Sequence, residues 1–302
     1  LRKLIADHRP EYIAASFDLA GPTFRDEIVE DYKATRAAMP DDLAEQIGWV
    51  HEACEALGVP IVTLAGYEAD DVIGTLARRG VEAGFDVVIV SIDKDFMQLV
   101  GDGIRIYDPR EDGAWFDAEA VVEKVGVRPS QVADWLAIVG DTSDNVAGVP
   151  GIGKKGATDL LQVFGSIDAL LDRADELKPK QRDALVTNRE ALLTSRRLVT
   201  IHTDVPVQVD LDALRYRGAS RERCYDLFSR LAFRTLVNDY APTAESVARD
   251  YALIHTLDEL DALVTEIRAA GRMALRVVID GDAPMRAPIA GLAIAVGPRR
   301  AR

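Results

Sequence analysis

Residues 85–95 read FDVVIVSIDKD and carry the strongest indication of the fold class. Its apolar part is a short continuous run of mainly β-branched residues, which is typical of a strand buried on both faces of a sheet. Two acids, Asp93 and Asp95, come directly after this strand. Ligand sites of open α/β sheets form at the carboxyl ends of their strands. The sequence therefore predicts a buried strand with a candidate site at its end.

Strand-like and helix-like segments alternate around this stretch. Apolar residues at helical spacing predict a helix that Gly58 ends, and a second helix is predicted over residues 68–82. Further strands are predicted at residues 11–18, 60–64 and 104–107. Such alternation indicates an α/β fold with a mostly parallel sheet flanked by helices.

The pattern becomes helical after residue 107 and changes again after residue 240. We predict an α/β core over residues 1–125 and a helical domain over 126–240. A polar linker over 241–250 would lead to a further α/β unit over 251–302, with one helix and two strand-like runs. This unit is too small to form a stable hydrophobic core of its own.

Composition excludes several classes of protein. The 302 residues are 48% hydrophobic and 28% charged, and no apolar run reaches the roughly 18 residues that span a bilayer. Without a signal segment at its start, the chain is expected to be cytoplasmic, with no membrane partner. Cys54 and Cys224 match no zinc or disulfide spacing. A net charge of -14 lowers the expectation of a nucleic-acid partner, yet basic stretches at 154–155, 178–182 and 196–197 could still face a phosphate backbone.

Acidic residues recur at predicted strand ends and helix starts. Any single one could be a helix cap, which the macrodipole favours. Glu68 and Asp71, however, would lie one turn apart and repel each other without a cation between them. Oxygen ligands suit hard divalent ions, and two such ions about 3.5 to 4 Å apart could support phosphodiester hydrolysis. The candidate metal ligands are Asp18, Glu68, Asp70, Asp71, Asp93, Asp95, Asp141 and Asp144.

Residues 148–156 read GVPGIGKKG and separate two helical segments. This is not a Walker loop, because neither lysine is followed by serine or threonine. A helix-turn-helix element that holds the DNA backbone without reading bases is favoured, and a plain helix connection stays open. The candidate DNA contacts in this turn are Gly148, Gly151, Gly153, Lys154 and Lys155.

A second basic group lies near the first acid. Arg25, Lys33 and Arg36 could lie along one helix and meet a phosphate entering the metal site, although basic residues on helices are usually only solvated.

Over residues 10–240 these motifs together resemble the 5' nuclease family, in particular the amino-terminal 5'-to-3' exonuclease domains of bacterial DNA polymerases I. The resemblance is carried by Phe17-Asp18, Phe24-Arg25 with Tyr32-Lys33, GYEADD at 66–71, DKD at 93–95, GDTSDN at 140–145 and the glycine turn. It implies that the eight acids surround two Mg²⁺ or Mn²⁺ ions, and that Lys33 and Arg36 act as catalytic residues that steer the scissile phosphate under a helical arch. The glycine turn would be a helix-three-turn-helix that grips the duplex and binds K⁺.

The resemblance implies a monomeric, structure-specific nuclease of primer removal and repair, acting on DNA with a 5' flap, a nick or an RNA primer. Two departures from the family pattern matter. The family's first strand, with one more metal-binding aspartate, would precede Leu1, and residues 275–280, LRVVID, lack the Asp-x-Glu of a proofreading domain. Asp280 and Asp282 are therefore interpreted as turn residues. A fragment that only binds branched DNA, and a related metal-dependent ribonuclease, are the alternatives.

Overall fold

The computed structural model describes residues 1–36, 39–110, 113–242, 250–280, 287–297 and 300–302. The chain divides into two compact units, Leu1–Ser220 and Arg221–Arg302. The first unit contains α1 (Arg2–His8), α2 (Phe24–Ile28), α3 (Asp41–Ala56), α4 (Ala69–Glu82), β1 (Val87–Val90), β2 (Ile104–Asp108), β3 (Ala114–Phe116), α5 (Ala118–Val125), α6 (Val132–Val139), α7 (Lys154–Phe164), α8 (Ile167–Asp172), α9 (Pro179–Thr187) and α10 (Arg189–Val199), with short 3-10 helices at Lys94–Leu99, Pro129–Gln131, Ala174–Glu176 and Leu211–Leu214.

The predicted helices on either side of residues 60–64 are confirmed as α3 and α4. Gly58 follows α3 with φ of 75°, a left-handed conformation that glycine adopts at no steric cost. A Cβ atom at this position would lie 2.3 Å from the Gly218 carbonyl oxygen. Both the turn and the close backbone contact therefore require glycine here.

The α/β class is confirmed, and the sheet of the first unit is mixed. β1 pairs with β2 in parallel and β2 pairs with β3 antiparallel. The strands predicted at residues 11–18 and 60–64 are not formed as such. These segments share one parallel bridge, in which Ala15 N donates to Pro60 O and Val62 N donates to Ala15 O, both at 2.9 Å. Because two hydrogen bonds do not make a ladder, the sheet is smaller than predicted.

The prediction that β1 is buried on both faces is wrong. Ile89 is 4% exposed, whereas its neighbours Val88 and Val90 are 37% and 44% exposed. Side chains alternate across a strand, and Val87, on the same face as Ile89, lies against α4, where a Cβ atom added at Gly80 would be 2.9 Å from its Cγ2. The apolar run therefore fills one face only, and its carboxyl end still leads to Asp93 and Asp95.

One hydrophobic core joins the sheet to the helices that follow it. Its buried members run from Tyr32 and Ile89 through Leu136 and Leu161 to Ile201. Gly126, where the first domain boundary was predicted, ends α5 in a left-handed conformation with φ of 88°. The boundary at 126 stays a prediction, and the packing is continuous across it.

The second unit contains α11 (Arg221–Arg230), α12 (Arg234–Tyr240), β4 (Asp250–Tyr251), α13 (Leu257–Ala270), β5 (Ala274–Ile279), β6 (Ile289–Ala295) and β7 (Arg300–Ala301). The predicted helix and two strands are confirmed as α13, β5 and β6. β5 pairs antiparallel with β6, and β4 pairs in parallel with β7. Most of the predicted linker, residues 243–249, and also Asp282 lie outside the described residues. Asp280 directly follows β5 and donates its N–H to Pro288 O at 2.9 Å.

The length and hydrophobicity of the helices bear on whether the chain can cross a membrane. Of the helices described above, none is both long and apolar enough to span a bilayer.

Gly140 gives a direct test of how closely the backbone packs at the end of α6. It has φ of 79°, and a Cβ atom there would lie 2.4 Å from Gly148 N. We expect Gly140→Ala to lower the free energy of unfolding by at least about 2 kcal/mol, measured by urea denaturation. Gly48, inside α3 with open space around its Cα, is the control, and Gly48→Ala should stabilise by about 0.5 to 1 kcal/mol. Equal urea midpoints for Gly140→Ala and the wild type would contradict this account.

Candidate functional site

Acids that are distant in sequence line one pocket of the first unit. The pocket is lined by Arg25, Tyr32 and five predicted metal ligands, which are Glu68, Asp70, Asp95, Asp141 and Asp144. Asp18 and Asp93 lie close enough to Asp70 to act on its ionisation. The carboxylates come from the start of α4, the carboxyl end of β1 and the loop after α6. The structure thus brings together seven of the eight predicted ligands at or beside one pocket.

Backbone hydrogen bonds hold the acidic segments in place. Asp18 Oδ1 accepts from Ala69 N at 2.7 Å, which ties the segment before α2 to the first turn of α4. Asp93 caps the 3-10 helix that follows β1, since its Oδ1 accepts from Asp95 N at 2.9 Å. Asp141 and Val146 exchange two backbone hydrogen bonds, at 3.0 and 2.7 Å, and close the loop between them.

The pocket is unfavourable for negative charge when nothing neutralises it. Burial raises the pKa of Asp70 to about 7, and the carboxylates of Asp93, Asp18 and Glu68 add to this rise. Burial likewise raises the pKa of Asp95 to about 7, with Asp93, Asp141 and Asp144 adding to it. Asp95 Oδ1 is buried and has no hydrogen-bond partner among the described residues. Oxygen-only donors with one unpartnered buried carboxylate oxygen fit a hard divalent cation.

Basic side chains occupy the other carboxylates that line the pocket. Lys33 Nζ lies 2.5 Å from Glu68 Oε1, and an Arg36 guanidinium nitrogen lies 2.5 Å from Asp144 Oδ1. In addition, Lys94 Nζ lies 2.7 Å from Asp141 Oδ2.

These ion pairs affect both ionisation and geometry. Against the effect of burial, hydrogen bonds from Lys94 and Ser143 lower the pKa of Asp141 to about 2. In the described parts of the chain, no three His, Cys, Asp or Glu side chains are arranged to hold one ion. The carboxylates therefore share a pocket while several of them point to ammonium or guanidinium groups.

Asp71 and Arg25 differ from their predicted roles. Asp71 is fully buried, and its two carboxylate oxygens accept from Arg25 at 2.6 and 2.9 Å. They also accept from the backbone N–H groups of Glu68 at 3.2 Å and His202 at 2.9 Å. Asp71 thus has its hydrogen-bonding capacity filled and is not placed as a metal ligand.

Arg25, predicted to contact DNA, is 2% exposed and donates further to the carbonyl oxygens of Leu198 at 2.7 Å and Thr200 at 3.0 Å. The Arg25–Asp71 pair therefore connects α2 and α4 to the end of α10, and it fixes the start of α4, where Glu68 and Asp70 lie. This is a positioning role.

Arg25, Lys33 and Arg36 do not lie along one helix, contrary to the prediction. α2 ends at Ile28, and Lys33 has φ of 54° in the turns that follow. The Lys33 N–H donates to Asp144 O at 3.1 Å, so the backbone itself holds this turn against the acidic loop. Lys33 and Arg36 consequently reach the pocket from a turn and not from a helix face.

The glycine turn joins the acidic loop to α7. Gly148 packs against the end of α6, where an added Cβ atom would lie 2.2 Å from Val139 O, so its role is close packing. Gly151 and Gly153 have open space around them, and the turn is anchored by buried Ile152. Lys154 and Lys155 begin α7 in exposed positions, and Lys155 pairs with Asp159 at 3.0 Å. Gly151, Gly153 and the two lysines are therefore accessible to a ligand.

Sequence reasoning missed several residues that shape the site. The Tyr32 hydroxyl lies 3.4 Å from carboxylate oxygens of both Glu68 and Asp144. Lys94 stood in the sequence only as part of the DKD motif at 93–95, without a role of its own. Position next to a predicted functional residue could have identified Tyr32 and Lys94. The carbonyl groups that accept from Arg25 carry no side-chain pattern and leave no such signal.

The raised pKa of Asp70 predicts a pH dependence of the metal-free protein. Its folded-state pKa lies above the ordinary value of 3.8, so the folded protein keeps a proton that the unfolded chain releases. Stability should therefore fall as pH rises from about 4 to about 7. After a discount for solvent screening, we expect Asp70→Asn to be about 1 to 2 kcal/mol more stable than the wild type at pH 8 in EDTA, and equal to it near pH 3.5.

Urea denaturation across this pH range measures the difference between the two proteins. Asp175→Asn, at an exposed position in the 3-10 helix Ala174–Glu176, is the matched control and should give no pH-dependent difference. A constant difference between Asp70→Asn and wild type at every pH would contradict the assignment.

Comparison with protein families gives two adjoining matches. Residues 1–126 match the 5'-3' exonuclease N-terminal resolvase-like domain, and residues 127–222 match the 5'-3' exonuclease C-terminal SAM fold. The DNA polymerase I of Chloroflexus aurantiacus is 44% identical over 235 residues, which are 76% of this chain and 25% of that protein. The DNA polymerase I of Bacillus caldotenax is 36% identical over 299 residues, 97% of this chain and 34% of that protein. The chain thus spans about a quarter to a third of these relatives.

Solved structures show the same fold. T5 5'-exonuclease with bound zinc aligns with a TM-score of 0.58 at 22% identity, covering 79% of this chain and 86% of that one. The catalytic core of Rad2 in complex with a DNA substrate aligns with a TM-score of 0.51 at 16% identity, covering 74% and 76%. At these identities the likeness concerns the fold.

Proposed function

Because the chain belongs to the 5'-3' exonuclease family, whose N-terminal and C-terminal domains it carries in succession, we propose that it is a divalent-metal-dependent, structure-specific 5' nuclease. It would hydrolyse phosphodiester bonds of DNA with a 5' flap, a nick or an RNA primer. As part of a DNA polymerase I, this activity would serve primer removal and repair. The identity to DNA polymerases I supports the assignment to that larger protein.

The observation that carries the proposal is the shared acidic pocket with its unpartnered Asp95 oxygen. Glu68, Asp70, Asp95, Asp141 and Asp144 would hold the ions there, with Asp18 and Asp93 beside them. Mg²⁺ or Mn²⁺ held by these carboxylates would supply a nucleophilic water at neutral pH and would neutralise charge on the scissile phosphate.

The chain's own basic residues orient the substrate. Lys33 and Arg36 lie at the pocket, and their positive charges attract a phosphate. Lys33 is 20% exposed and Arg36 is 50% exposed, so both can turn toward a ligand. We assign them to positioning the scissile phosphate, as catalytic residues that contact the substrate.

The glycine turn holds the duplex in this proposal. Gly153 is the N-cap of α7, whose first backbone N–H groups can bind a phosphate, and Lys154 and Lys155 add positive charge. Open space at Gly151 and Gly153 lets a sugar-phosphate backbone come close. A K⁺ ion held by carbonyl groups of the turn belongs to the same proposal. The helix-three-turn-helix would act on one DNA molecule per monomer.

Cleavage of a 5'-labelled flap duplex tests the proposal directly. We expect products of defined length with Mg²⁺ or Mn²⁺ and none in EDTA, and a nicked duplex should be shortened stepwise from its 5' end. A single-stranded RNA of the same sequence should be cut far less, which would exclude a related metal-dependent ribonuclease. Cleavage that persists in EDTA would overturn the proposed chemistry.

A binding-only function is the second candidate. It is favoured by one observation, that basic side chains occupy three of the carboxylates lining the pocket. On this alternative the chain would bind the branched duplex as tightly with EDTA as with Mg²⁺, and would not cut it with either. The flap assay, combined with an affinity measurement on the same duplex, separates the two functions.

A further inference from the structure

The three ion pairs around the acidic pocket have one property in common. In each of them a flexible basic side chain occupies a carboxylate that also lines the pocket, as described for Lys33, Arg36 and Lys94. Lys33 and Arg36 already have a proposed task toward the phosphate. Lys94 has none, although it lies between Asp93 and Asp95 in the sequence.

Lys94 reaches past its neighbours to a distant residue. Its Nζ lies 2.7 Å from Asp141 Oδ2, 47 residues further along the chain. The Lys94 side chain is 50% exposed, whereas that of Asp141 is 11% exposed. Half of the lysine thus stays at the surface while its ammonium group covers a carboxylate at the pocket wall. Such a side chain can leave its partner without any movement of the core.

Charge favours exchange of this contact. One ammonium group supplies one positive charge to Asp141 and leaves Asp95 Oδ1 without a partner. A divalent ion carries two charges and can bind several carboxylate oxygens at once. The present side-chain arrangement holds no ready group of three ligands in the described residues. An ion that takes Asp141 as a ligand would therefore have to displace Lys94 from this carboxylate.

We propose that Lys94 is an exchange residue, which pairs with Asp141 in the metal-free protein, yields that carboxylate to a divalent ion, and then presents its ammonium group to a phosphate oxygen of the DNA. This inference rests on the proposed function, because it takes Asp141 to be a metal ligand. It adds a positioning residue and explains how the protein avoids an uncompensated acidic pocket before the ion arrives. Metal binding and phosphate binding would be coupled through one side chain.

Mn²⁺ binding to the metal-free protein tests the competition. Removal of the competitor should tighten binding, so Lys94→Met is expected to lower the Kd for Mn²⁺ by about threefold to tenfold in calorimetric titrations at low salt. Arg78→Met is the control for a general loss of positive charge, because Arg78 is exposed and pairs with Glu82 on α4 at 3.2 Å. A Kd for Lys94→Met within twofold of wild type, or equal tightening in Arg78→Met, would overturn the exchange.

Thermal unfolding provides a second readout that does not depend on activity. Lys94→Met should lower the Tm of the protein in EDTA, and saturating Mn²⁺ should abolish the difference from wild type. In an Asp141→Asn background, Lys94→Met should leave the Tm in EDTA unchanged, because the partner carboxylate is gone. A Tm difference that persists in Mn²⁺ would indicate a purely structural lysine and would refute the exchange.

Asp95→Asn separates a failure of the exchange from a failure of the metal site. If Mn²⁺ binding depends on Asp95 and not on Lys94, the exchange alone is wrong and the proposed nuclease stands. If no binding depends on Asp95, the metal site itself is wrong, and the exchange is wrong with it. A flap duplex in Ca²⁺ then tests the released ammonium group. Lys94→Met should weaken DNA binding more in Ca²⁺ than in EDTA, and an equal loss in both would contradict the phosphate contact.

Discussion

Replacement of Asp95 by asparagine is expected to lower the rate of flap cleavage by on the order of a thousandfold, with duplex affinity within about threefold of wild type. Asp95 Oδ1 is buried and has no hydrogen-bond partner among the described residues, and burial together with the acids around it raises the pKa of Asp95 to about 7. An amide keeps the size of the side chain but removes the negative charge that a divalent ion needs. The substitution should therefore slow the chemical step and leave DNA binding nearly unchanged.

Single-turnover cleavage of a labelled flap duplex measures the rate, and fluorescence anisotropy in Ca²⁺ measures the affinity. Asp86→Asn is the matched control, since Asp86 is exposed and directly precedes β1. It should cleave at the wild-type rate. Wild-type cleavage by Asp95→Asn would show that the pocket is not the catalytic centre, whereas a parallel loss of affinity would show that Asp95 shapes the DNA-binding surface.

Replacement of Arg25 by alanine should cause the largest loss of stability, about 3 to 5 kcal/mol in the free energy of unfolding. Arg25 is 2% exposed and its partner Asp71 is fully buried, so the substitution leaves a buried carboxylate without its cation. The carbonyl oxygens of Leu198 and Thr200 lose their donors at the same time. Each of these groups then stays buried without a hydrogen-bond partner, which lowers the free energy of unfolding.

Urea denaturation at pH 7 checks this value, with Arg78→Ala as the exposed control. Arg78 pairs with Glu82 at the surface of α4, and its loss should change stability by less than about 0.5 kcal/mol. A change in the free energy of unfolding below about 1 kcal/mol for Arg25→Ala would contradict the positioning role, because removing one partner of a buried ion pair leaves an uncompensated buried charge. A loss of DNA affinity without a loss of stability would instead restore the predicted contact between Arg25 and DNA.

Local patterns were sufficient to predict most of the architecture. Apolar spacing and Gly58 predicted α3, and the β-branched run predicted β1, because these signals depend on neighbours in the sequence. Alternation then gave the α/β class. The placement of acids at strand ends and helix starts indicated the convergence seen in the pocket.

Pairing across the fold could not be read in the same way. Asp71 has the same residue type and spacing as its neighbour Asp70, yet α4 turns one carboxylate toward Arg25 and the other toward the pocket. Lys94 pairs with a residue 47 positions away, and no local rule selects that partner. The exposure of Val88 and Val90 was missed because a run of apolar residues does not show which face a helix covers.

The hydrophobic core continues across Gly126, where the two family matches meet. The two family matches meet between residues 126 and 127, while the buried cluster extends from Tyr32 to Ile201 and the compact unit ends at Ser220. The two family matches therefore meet inside one continuous hydrophobic core. Cutting the chain there would expose both halves of a shared interior, so neither half should behave as an autonomous folding module. The proposed nuclease site and the proposed duplex-binding turn would then be lost together when this shared core unfolds.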